Sequence, residues 1–318
     1  MSSLLRRHGV MTNAPAIAYG TRRPNFVLNP MDVMHPLPKP TISPRNDEAV
    51  TIIGGDPSCG IVLVCDHAAN TIPPEYGTLG LDPSELSRHI AYDIGAEGVT
   101  RAMAARLGAP AVLTKFSRLL IDPNRGEDDP TLIMRLSDGA IIAGNRTLDE
   151  AERAARIARF YTPYHDAVAA LVDASLTTGV VPIVIAIHSF TPVWKGVPRP
   201  WHVGVLWDKD PRFAVPLIEA LAQDRLIIVG DNEPYHGALK GDTLWKHATQ
   251  RGLAHALIEV RQDLIATAQG QDAWADRLAA TTTALLDDAE RKPHLQTIEH
   301  YGSQTDIWPI QPALKGRT

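Results

Sequence analysis

Two histidines each end an almost wholly apolar run of this sequence. His67 closes the run IVLVCDH, and His188 closes the run VVPIVIAIH. Runs this rich in β-branched residues are typical of strands buried on both faces of a parallel sheet. Polar side chains that follow such strands lie at the carboxyl edge of the sheet, where open α/β folds place their sites. Two histidines at one edge can share a metal ion, and the alternative is that each caps its own strand.

The sequence also offers a base and cations for hydrolytic chemistry. Glu259 interrupts the apolar segment ALIEV, so its carboxylate must either project into a pocket or pair with an arginine. Arg118 is a candidate for stabilising an oxyanion. Asn124 and Arg125 are candidates for binding a carboxylate, because a guanidinium donates two parallel hydrogen bonds. The alternative for this segment is a solvated loop in which Asp122 pairs with Arg125.

Three further polar residues lie where they can serve the same site. Asn232 and Tyr235 belong to the segment DNEPYHG and can hydrogen-bond a substrate, although a simple turn explains the segment equally well. Asp93 is a carboxylate in the otherwise apolar segment HIAYDIG. It is a candidate third metal ligand, a partner for a histidine, or a helix cap.

The elements that must position these residues alternate between strand and helix from Val50 onward. Strands are predicted at 61–65, 111–115, 180–187, 202–207, 226–229 and 255–260, with a strand-like piece at 119–121, and helices at 95–107, 148–176, 212–224 and 272–288. This order predicts a single doubly wound α/β domain over residues 49–290, with a mixed, largely parallel central sheet. A disordered or extended arm is expected at 1–48 and a loosely packed tail at 291–318.

Composition excludes several classes of partner. The chain has 318 residues and a net charge of -5, which gives no electrostatic basis for binding nucleic acid or a membrane. No stretch is long and apolar enough to span a bilayer. Only two cysteines are present, Cys59 and Cys65, so a disulfide framework is not indicated and a cytoplasmic protein is predicted.

Six ordered blocks of the sequence resemble the N-formylglutamate amidohydrolase family. They are CDHAAN around His67, YDIGA around Asp93, SR through DPNR at 117–125, IHSF around His188, NEPYHG at 232–237 and IEVRQDLI around Glu259. Any one block is weak evidence, whereas six in this order are specific. The family is similar in fold to zinc carboxypeptidases and aspartoacylases, so the resemblance implies a zinc-exopeptidase-like fold.

The plan shared by those enzymes orders a histidine with a carboxylate three residues on, an arginine, an Asn-Arg pair, a second histidine and a catalytic glutamate. The resemblance carries it onto His67, Arg118, Asn124 with Arg125, His188 and Glu259. The sequence departs from this plan at Asn70, which stands where a glutamate ligand is expected. Because a neutral amide is a poor zinc ligand, either Asp93 or Asp66 completes the site, or the metal binds weakly.

The resemblance implies metal-assisted hydrolysis of an N-acyl amino acid, with N-formyl-L-glutamate as the substrate. Zn²⁺ would be held by His67, His188 and Asp93, and Glu259 would take a proton from water. Arg118 would stabilise the oxyanion.

The implied substrate is a small acidic molecule with two carboxylates. Asn124 and Arg125 would bind one of them. The second needs another donor, for which Arg261 or the segment with Asn232 and Tyr235 is a candidate.

Other functions remain open from the sequence. A deacylase for a different N-acyl amino acid would have the same machinery and a different pocket wall. A thiol hydrolase would use Cys65 as nucleophile and His67 as base, although Cys65 lies in the buried run. A protein of another class, a non-catalytic binder of acidic amino-acid derivatives, would have lost its metal, and metal analysis distinguishes it from an enzyme.

Overall fold

The structure is a computed structural model that describes residues 48–306. The arm predicted at 1–48 lies outside the described residues except for its last one. The boundaries at 48 and 290 stay predictions. No helix within residues 48–306 has both the length and the apolar composition needed to cross a bilayer.

The described chain alternates strands and helices. The strands are β1 (Val50–Ile53), β2 (Ile61–Cys65), β3 (Ala111–Thr114), β4 (Leu136–Ser137), β5 (Ala140–Ile141), β6 (Ile183–Phe190), β7 (Val193–Trp194), β8 (Val197–Pro198), β9 (Val203–Leu206), β10 (Val229–Asp231) and β11 (His255–Arg261). The helices are α1 (Ala96–Leu107), α2 (Glu150–Arg156), α3 (Thr162–Thr177), α4 (Pro211–Leu221), α5 (Thr243–His247), α6 (Ala268–Asp287) and α7 (Lys292–Leu295).

Seven of the strands form the central sheet, in the order β1-β3-β2-β6-β11-β9-β10. Strands β3, β2, β6 and β11 are parallel to one another. Strand β1 is antiparallel to β3, and β9 is antiparallel to β11 but parallel to β10. The prediction of an α/β fold with a mixed, largely parallel central sheet is therefore confirmed. The pairs β4-β5 and β7-β8 are separate two-stranded hairpins.

Helices cover both faces of the sheet, which explains the continuous apolar runs. Alternate residues of β6 enter two different cores: Ile185 packs in a core with α1, α4 and α6, and Ala186 in a core that includes α3. The same alternation places Cys65 in the first core and Val64 in the second. Because both faces are buried, β2 and β6 carry only apolar residues until they reach their carboxyl ends.

The long helix predicted at 148–176 is interrupted. Asp149 caps its start by accepting a hydrogen bond from the backbone of Glu152, and a π-helical turn at Ile157–Tyr161 then separates α2 from α3. Turns of this kind inside α-helices are frequent at functional sites.

The strand predicted at 119–121 is wrong. These residues are fully buried but form no sheet ladder. Their backbone carbonyls are satisfied by side chains instead: Asn145 donates to Leu119, and Arg156 donates to Leu120. The apolar pattern at 119–121 therefore indicates that these residues are buried, but it does not indicate that they pair in a sheet. The strand predicted at 226–229 is also displaced, since β10 begins only at Val229.

Candidate active site

Three parallel strands deliver polar side chains to one edge of the sheet. His67 lies just beyond the end of β2, His188 lies in β6, and Glu259 lies in β11. His188 and Glu259 are direct neighbours in the register of β6 and β11. All three line a pocket of ≈ 340 Å³ at the carboxyl edge. This edge is where open α/β folds bind ligands.

His67, Asp93 and His188 form a buried cluster in that pocket. One ligand atom from each lies within 4.8 Å of the others. Oδ2 of Asp93 is 3.3 Å from Nδ1 of His67 and 2.8 Å from Nδ1 of His188. The backbone N–H of Asp93 donates to the carbonyl of His67, which fixes this carboxylate against the end of β2. Residues that are far apart in sequence are thus brought to one point.

Two further carboxylates, those of Asp122 and Asp66, orient the imidazoles through their Nε2 atoms. Nε2 of His67 lies 2.7 Å from Oδ1 of Asp122, and Nε2 of His188 lies 2.8 Å from Oδ2 of Asp66. A carboxylate only accepts, so each Nε2 carries its hydrogen and each Nδ1 turns toward Asp93. Burial opposes ionisation of Asp66, but the hydrogen bond and charge of His188, the charge of His67 and the hydrogen bond from Thr243 together outweigh it and lower the pKa of Asp66 to about 2. Burial likewise opposes ionisation of Asp122, yet the Arg118 guanidinium and the hydrogen-bonded His67 together hold its pKa well below the usual range.

The cluster fits a divalent cation by the chemistry of its donors. Two imidazole nitrogens and one carboxylate are a donor set that zinc uses in catalytic sites. Ligating histidines characteristically donate their other N–H to a carboxylate, as both do here. Burial lowers the pKa of His188, but hydrogen bonds to Asp66 and Asp93 raise it well above its ordinary value. The space between Asp93 and the Nδ1 atoms of His67 and His188 therefore favours a positive charge, which a metal ion would supply. Within residues 48–306 no other group of histidines, cysteines and carboxylates meets at such distances.

Replacing Asp122 by asparagine is expected to weaken zinc binding by roughly 10- to 100-fold, because the His67 imidazole loses its charged acceptor. Competition with a chelating dye measures the affinity. Asp128→Asn is a matched control, since Asp128 is exposed and its one ion pair within residues 48–306 is with Lys240. An unchanged zinc affinity in Asp122→Asn, with the control also unchanged, would contradict the role of this carboxylate.

Glu259 is a buried carboxylate with a free oxygen. Its side chain faces the pocket, and its Oε2 is one of few buried side-chain polar atoms in residues 48–306 without a hydrogen-bond partner. Burial raises the pKa of Glu259 to about 7, against the opposing influence of His188. Within residues 48–306 no arginine lies within ion-pair distance of Glu259, so the pairing with an arginine that the sequence left open does not occur there. An unpaired carboxylate with a near-neutral pKa has the properties of a general base.

Arg118 lies in the pocket and contacts both Asp93, which belongs to the cluster, and Asp122, which orients His67. Its Nε and Nη2 donate to Oδ2 of Asp122 at 3.1 and 2.7 Å. Its Nη1 lies 3.6 Å from Oδ1 of Asp93. The guanidinium therefore holds in place the carboxylate that orients His67, and its Nη1 side faces the candidate metal centre.

Asn124 and Arg125 both line the pocket. Oδ1 of Asn124 accepts from the backbone N–H of Thr243 at the start of α5. Arg125 donates through Nη1 to the carbonyl of Asn124 and through Nε to Thr131. The pairing of Asp122 with Arg125 considered from the sequence does not occur, because Asp122 is engaged by Arg118 and His67.

The loop that carries these two residues is held at both of its ends. Nε2 of His165 donates to the carbonyl of Pro123, while Nδ1 of His165 accepts from His247. Tyr161, in the π-helical turn, donates to the carbonyl of Arg125. Burial lowers the pKa of His165 to about 4 and that of His247 to about 3, so both are neutral at physiological pH. The loop is thereby fixed against α3 and α5.

Tyr235 lies in the pocket wall, but Asn232 does not. Tyr235 is 44% exposed, and its hydroxyl accepts from Nη1 of Arg199. Oδ1 of Asn232 accepts from the backbone N–H groups of Trp207 and Gly237, and its own backbone has φ of 52°. The amide of Asn232 therefore builds the turn that presents Tyr235.

Arg261 is also absent from the pocket lining. Its Nε donates to Asp263 at 2.8 Å, and its Nη1 points to backbone carbonyls of residues 199–201. With its donors committed, Arg261 is not placed to bind the second carboxylate of a substrate.

The side chains of Asn70 and Asp66 are hydrogen-bonded to other residues and do not belong to the cluster of His67, Asp93 and His188. Nδ2 of Asn70 donates to the backbone carbonyl of Leu86. Asp66 accepts from Nε2 of His188, from Tyr164 and from Thr243. Of the two candidates for the third ligand, only Asp93 faces both Nδ1 atoms. The absence of a glutamate at position 70 is thus compatible with a three-donor centre.

Cys65 is not in this site. It is fully buried in the core that contains α1, and it does not line the pocket. Burial raises the pKa of its thiol well above the ordinary value. A buried thiol of this kind is inert, which argues against the cysteine nucleophile.

Several residues of the site were not predicted from the sequence, chiefly His165, His247 and Arg199. The contacts that bring them into the site are with residues distant in the sequence, His165 with His247 and Arg199 with Tyr235, and none of the three interrupts an apolar run in the way that Glu259 does. No pattern of spacing could have found them.

Fold and pocket together define an α/β enzyme with a candidate metal centre. The model of the family described as N-formylglutamate amidohydrolase matches residues 59–266. The chain belongs to this family, and it is an amidohydrolase that acts on a linear amide. Comparison with curated proteins finds no match.

Two solved structures illustrate the likeness. The gene product Atu2144 from Agrobacterium tumefaciens has 38% sequence identity and a TM-score of 0.72, covering 77% of this chain and 97% of its own. An N-formylglutamate amidohydrolase from Ralstonia eutropha JMP134 has 22% identity and a TM-score of 0.55, covering 77% of this chain and 99% of its own. At this identity the second likeness concerns the fold.

Proposed function

We propose that the protein is a metal-dependent amidohydrolase that converts N-formyl-L-glutamate and water into formate and L-glutamate. The observation that carries the proposal is the free, buried Oε2 of Glu259, which shares a pocket with the cluster of His67, Asp93 and His188. Family membership supports the choice of substrate.

Nδ1 of His67, Nδ1 of His188 and a carboxylate oxygen of Asp93 would hold the metal, and the donor set suits Zn²⁺. When bound there, a zinc ion would polarise the amide oxygen and lower the pKa of a water molecule to about 7. Asp66 and Asp122 keep both imidazoles in the tautomer that presents Nδ1. Both carboxylates are buried, so bulk water does not compete for these hydrogen bonds.

The chain's own residues account for the proton transfers. Oε2 of Glu259 takes a proton from the attacking water as the new C–O bond forms at the formyl carbon. The same carboxyl group then gives the proton to the amino-acid nitrogen as the C–N bond breaks. Nη1 of Arg118 faces the negative charge that develops on the formyl oxygen.

Asn124 and Arg125 would bind the α-carboxylate. The backbone of their loop is fixed by His165 and Tyr161, so little order has to be gained on binding. The Nη2 group of Arg125 makes no hydrogen bond to a described residue and is available to a substrate oxygen.

We also propose a cytoplasmic location. Both cysteines are free thiols, Cys65 buried and Cys59 half-buried. Free thiols and the absence of disulfides are typical of a reducing compartment.

A substrate panel tests the proposed function. N-formyl and N-acetyl derivatives of glutamate, glutamine, aspartate and methionine are assayed with added zinc and after treatment with a chelator. Hydrolysis of N-formyl-L-glutamate should be the fastest, should disappear with the chelator and should return with zinc. Full activity in the chelated protein would contradict metal dependence, and faster hydrolysis of another member of the panel would contradict the substrate.

A further inference from the structure

Arg199 is a buried arginine whose side chain contacts two residues of the pocket wall. It follows the hairpin of β7 and β8, and only 9% of its surface is exposed. Its backbone N–H donates to the carbonyl of Pro192, which closes the base of the hairpin. Nη1 of Arg199 donates to the hydroxyl of Tyr235 at 3.1 Å and to Oγ1 of Thr191 at 3.2 Å. Tyr235 and Thr191 both line the pocket, so the guanidinium lies directly behind its wall.

The charge of Arg199 has no anionic partner among the described residues. Arg118 and Arg261 each form an ion pair, with Asp122 and Asp263, but no carboxylate in residues 48–306 lies within ion-pair distance of Arg199. Its neighbours are aromatic: the guanidinium carbon lies 5.0 Å from the ring centre of Tyr235, 5.3 Å from that of Trp194 and 5.7 Å from that of Phe190. Rings attract a cation but do not neutralise it. A buried cation without an anion is costly, and a bound carboxylate removes that cost.

Within residues 48–306, one edge of the guanidinium has no hydrogen-bond partner. Nη1 makes the hydrogen bonds described above, whereas Nε and Nη2 make none to the described residues. The Nε–Nη2 edge carries two parallel donors, which is the geometry that matches the two oxygens of a carboxylate.

We infer that Arg199, presented by Tyr235 and Thr191, binds the side-chain carboxylate of the substrate and makes the enzyme selective for N-acyl derivatives of dicarboxylic amino acids. The inference rests on the proposed function and adds to it. Arg125 and Arg199 then provide one cation for each carboxylate of the substrate. Arg199 is a specificity residue in this account, because the proton transfers are carried out by Glu259.

The test measures selectivity, not activity alone. The zinc-loaded wild type and Arg199→Met are compared on N-formyl-L-glutamate and N-formyl-L-glutamine, which differ only in the charge of the side chain. Loss of a charge-assisted carboxylate contact should lower kcat/KM for the acid by roughly 10- to 100-fold, mainly through KM. The value for the amide should change by less than about threefold, since the contact removed is specific to the carboxylate.

Two further measurements separate the possible outcomes. Calorimetry with L-glutamate and L-glutamine reports binding without turnover, and Arg199→Lys keeps the charge but removes the paired donors. Arg101→Met is a control, because Arg101 is exposed and contacts Glu97 on α1. Thermal unfolding shows whether each variant is folded.

Equal losses for the acid and the amide would mean that Arg199 only anchors the hairpin, and they would overturn the inference. A wild type that shows no preference for the acid would overturn it as well. If the wild type binds L-glutamate selectively, loses that selectivity in Arg199→Met, and yet hydrolyses no N-formyl compound, the proposed function fails while the inference about Arg199 stands.

Discussion

Glu259→Gln is expected to lower kcat for N-formyl-L-glutamate by roughly 10³-fold or more, while zinc content stays at the wild-type level. Glutamine has the same shape as glutamate but cannot accept the proton of the attacking water. Glu259 does not belong to the cluster of His67, Asp93 and His188, so metal binding should not depend on the charge at position 259.

The fold should tolerate this substitution. Oε2 of Glu259 has no hydrogen-bond partner, so replacing it leaves no neighbouring donor without an acceptor. Glu219→Gln is a matched control, since Glu219 is exposed on α4. Steady-state kinetics, zinc analysis and thermal unfolding are compared for the three proteins. If Glu259→Gln keeps turnover within about threefold of the wild type, the group that accepts the proton must be sought elsewhere.

His188→Ala is expected to reduce zinc affinity by a factor on the order of 10³ or more, because one of the three proposed protein ligands is lost. Activity without added zinc should be lost with it. Zinc analysis after dialysis measures the first effect, and turnover at increasing zinc concentrations measures the second. A variant that retains stoichiometric zinc through dialysis would show that His188 is not a ligand.

A second variant is needed to separate loss of zinc binding from loss of stability in His188→Ala. Removing the imidazole leaves Asp66 and Asp93 buried without their partner, and such a loss costs about 3–5 kcal/mol. His188→Asn keeps a polar group near the position of Nδ1 and a donor toward Asp93, so it should unfold at a higher temperature than His188→Ala. It should still bind zinc poorly, because an amide is a weak ligand. His294→Asn, at an exposed position, is the control.

The convergence of the site followed from simple features of the sequence. His67 and His188 each end an apolar run, and Glu259 interrupts one. Parallel strands bring their carboxyl ends to the same edge, so the three side chains had to meet if the runs were neighbouring strands. The register of β6 and β11 confirms that two of them are adjacent.

The residues that surround the cluster, such as Asp66, Asp122 and Arg199, could not be predicted in this way. Which nitrogen of each imidazole faces the cluster depends on Asp66 and Asp122, and these contacts are set by packing between distant segments. Arg199 directly follows a short hairpin, where neither periodicity nor a capping pattern marks its role. Arg261, in contrast, follows Glu259 directly and looked suitable, but its local partner Asp263 takes its donors. Sequence adjacency is thus a poor guide to which cation faces a pocket.

The pairing of β6 with β11 has a consequence for how the enzyme can change. His188 and Glu259 are opposite each other in the ladder, so their separation is determined by backbone hydrogen bonding and not by a mobile loop. Side chains alternate along a strand, and inserting or deleting a single residue ahead of Glu259 in β11 would turn its carboxylate to the opposite face of the sheet. Length changes in this strand are therefore excluded, whereas the exposed tip of the β7–β8 hairpin, at Lys195 and Gly196, contacts neither residue and can vary.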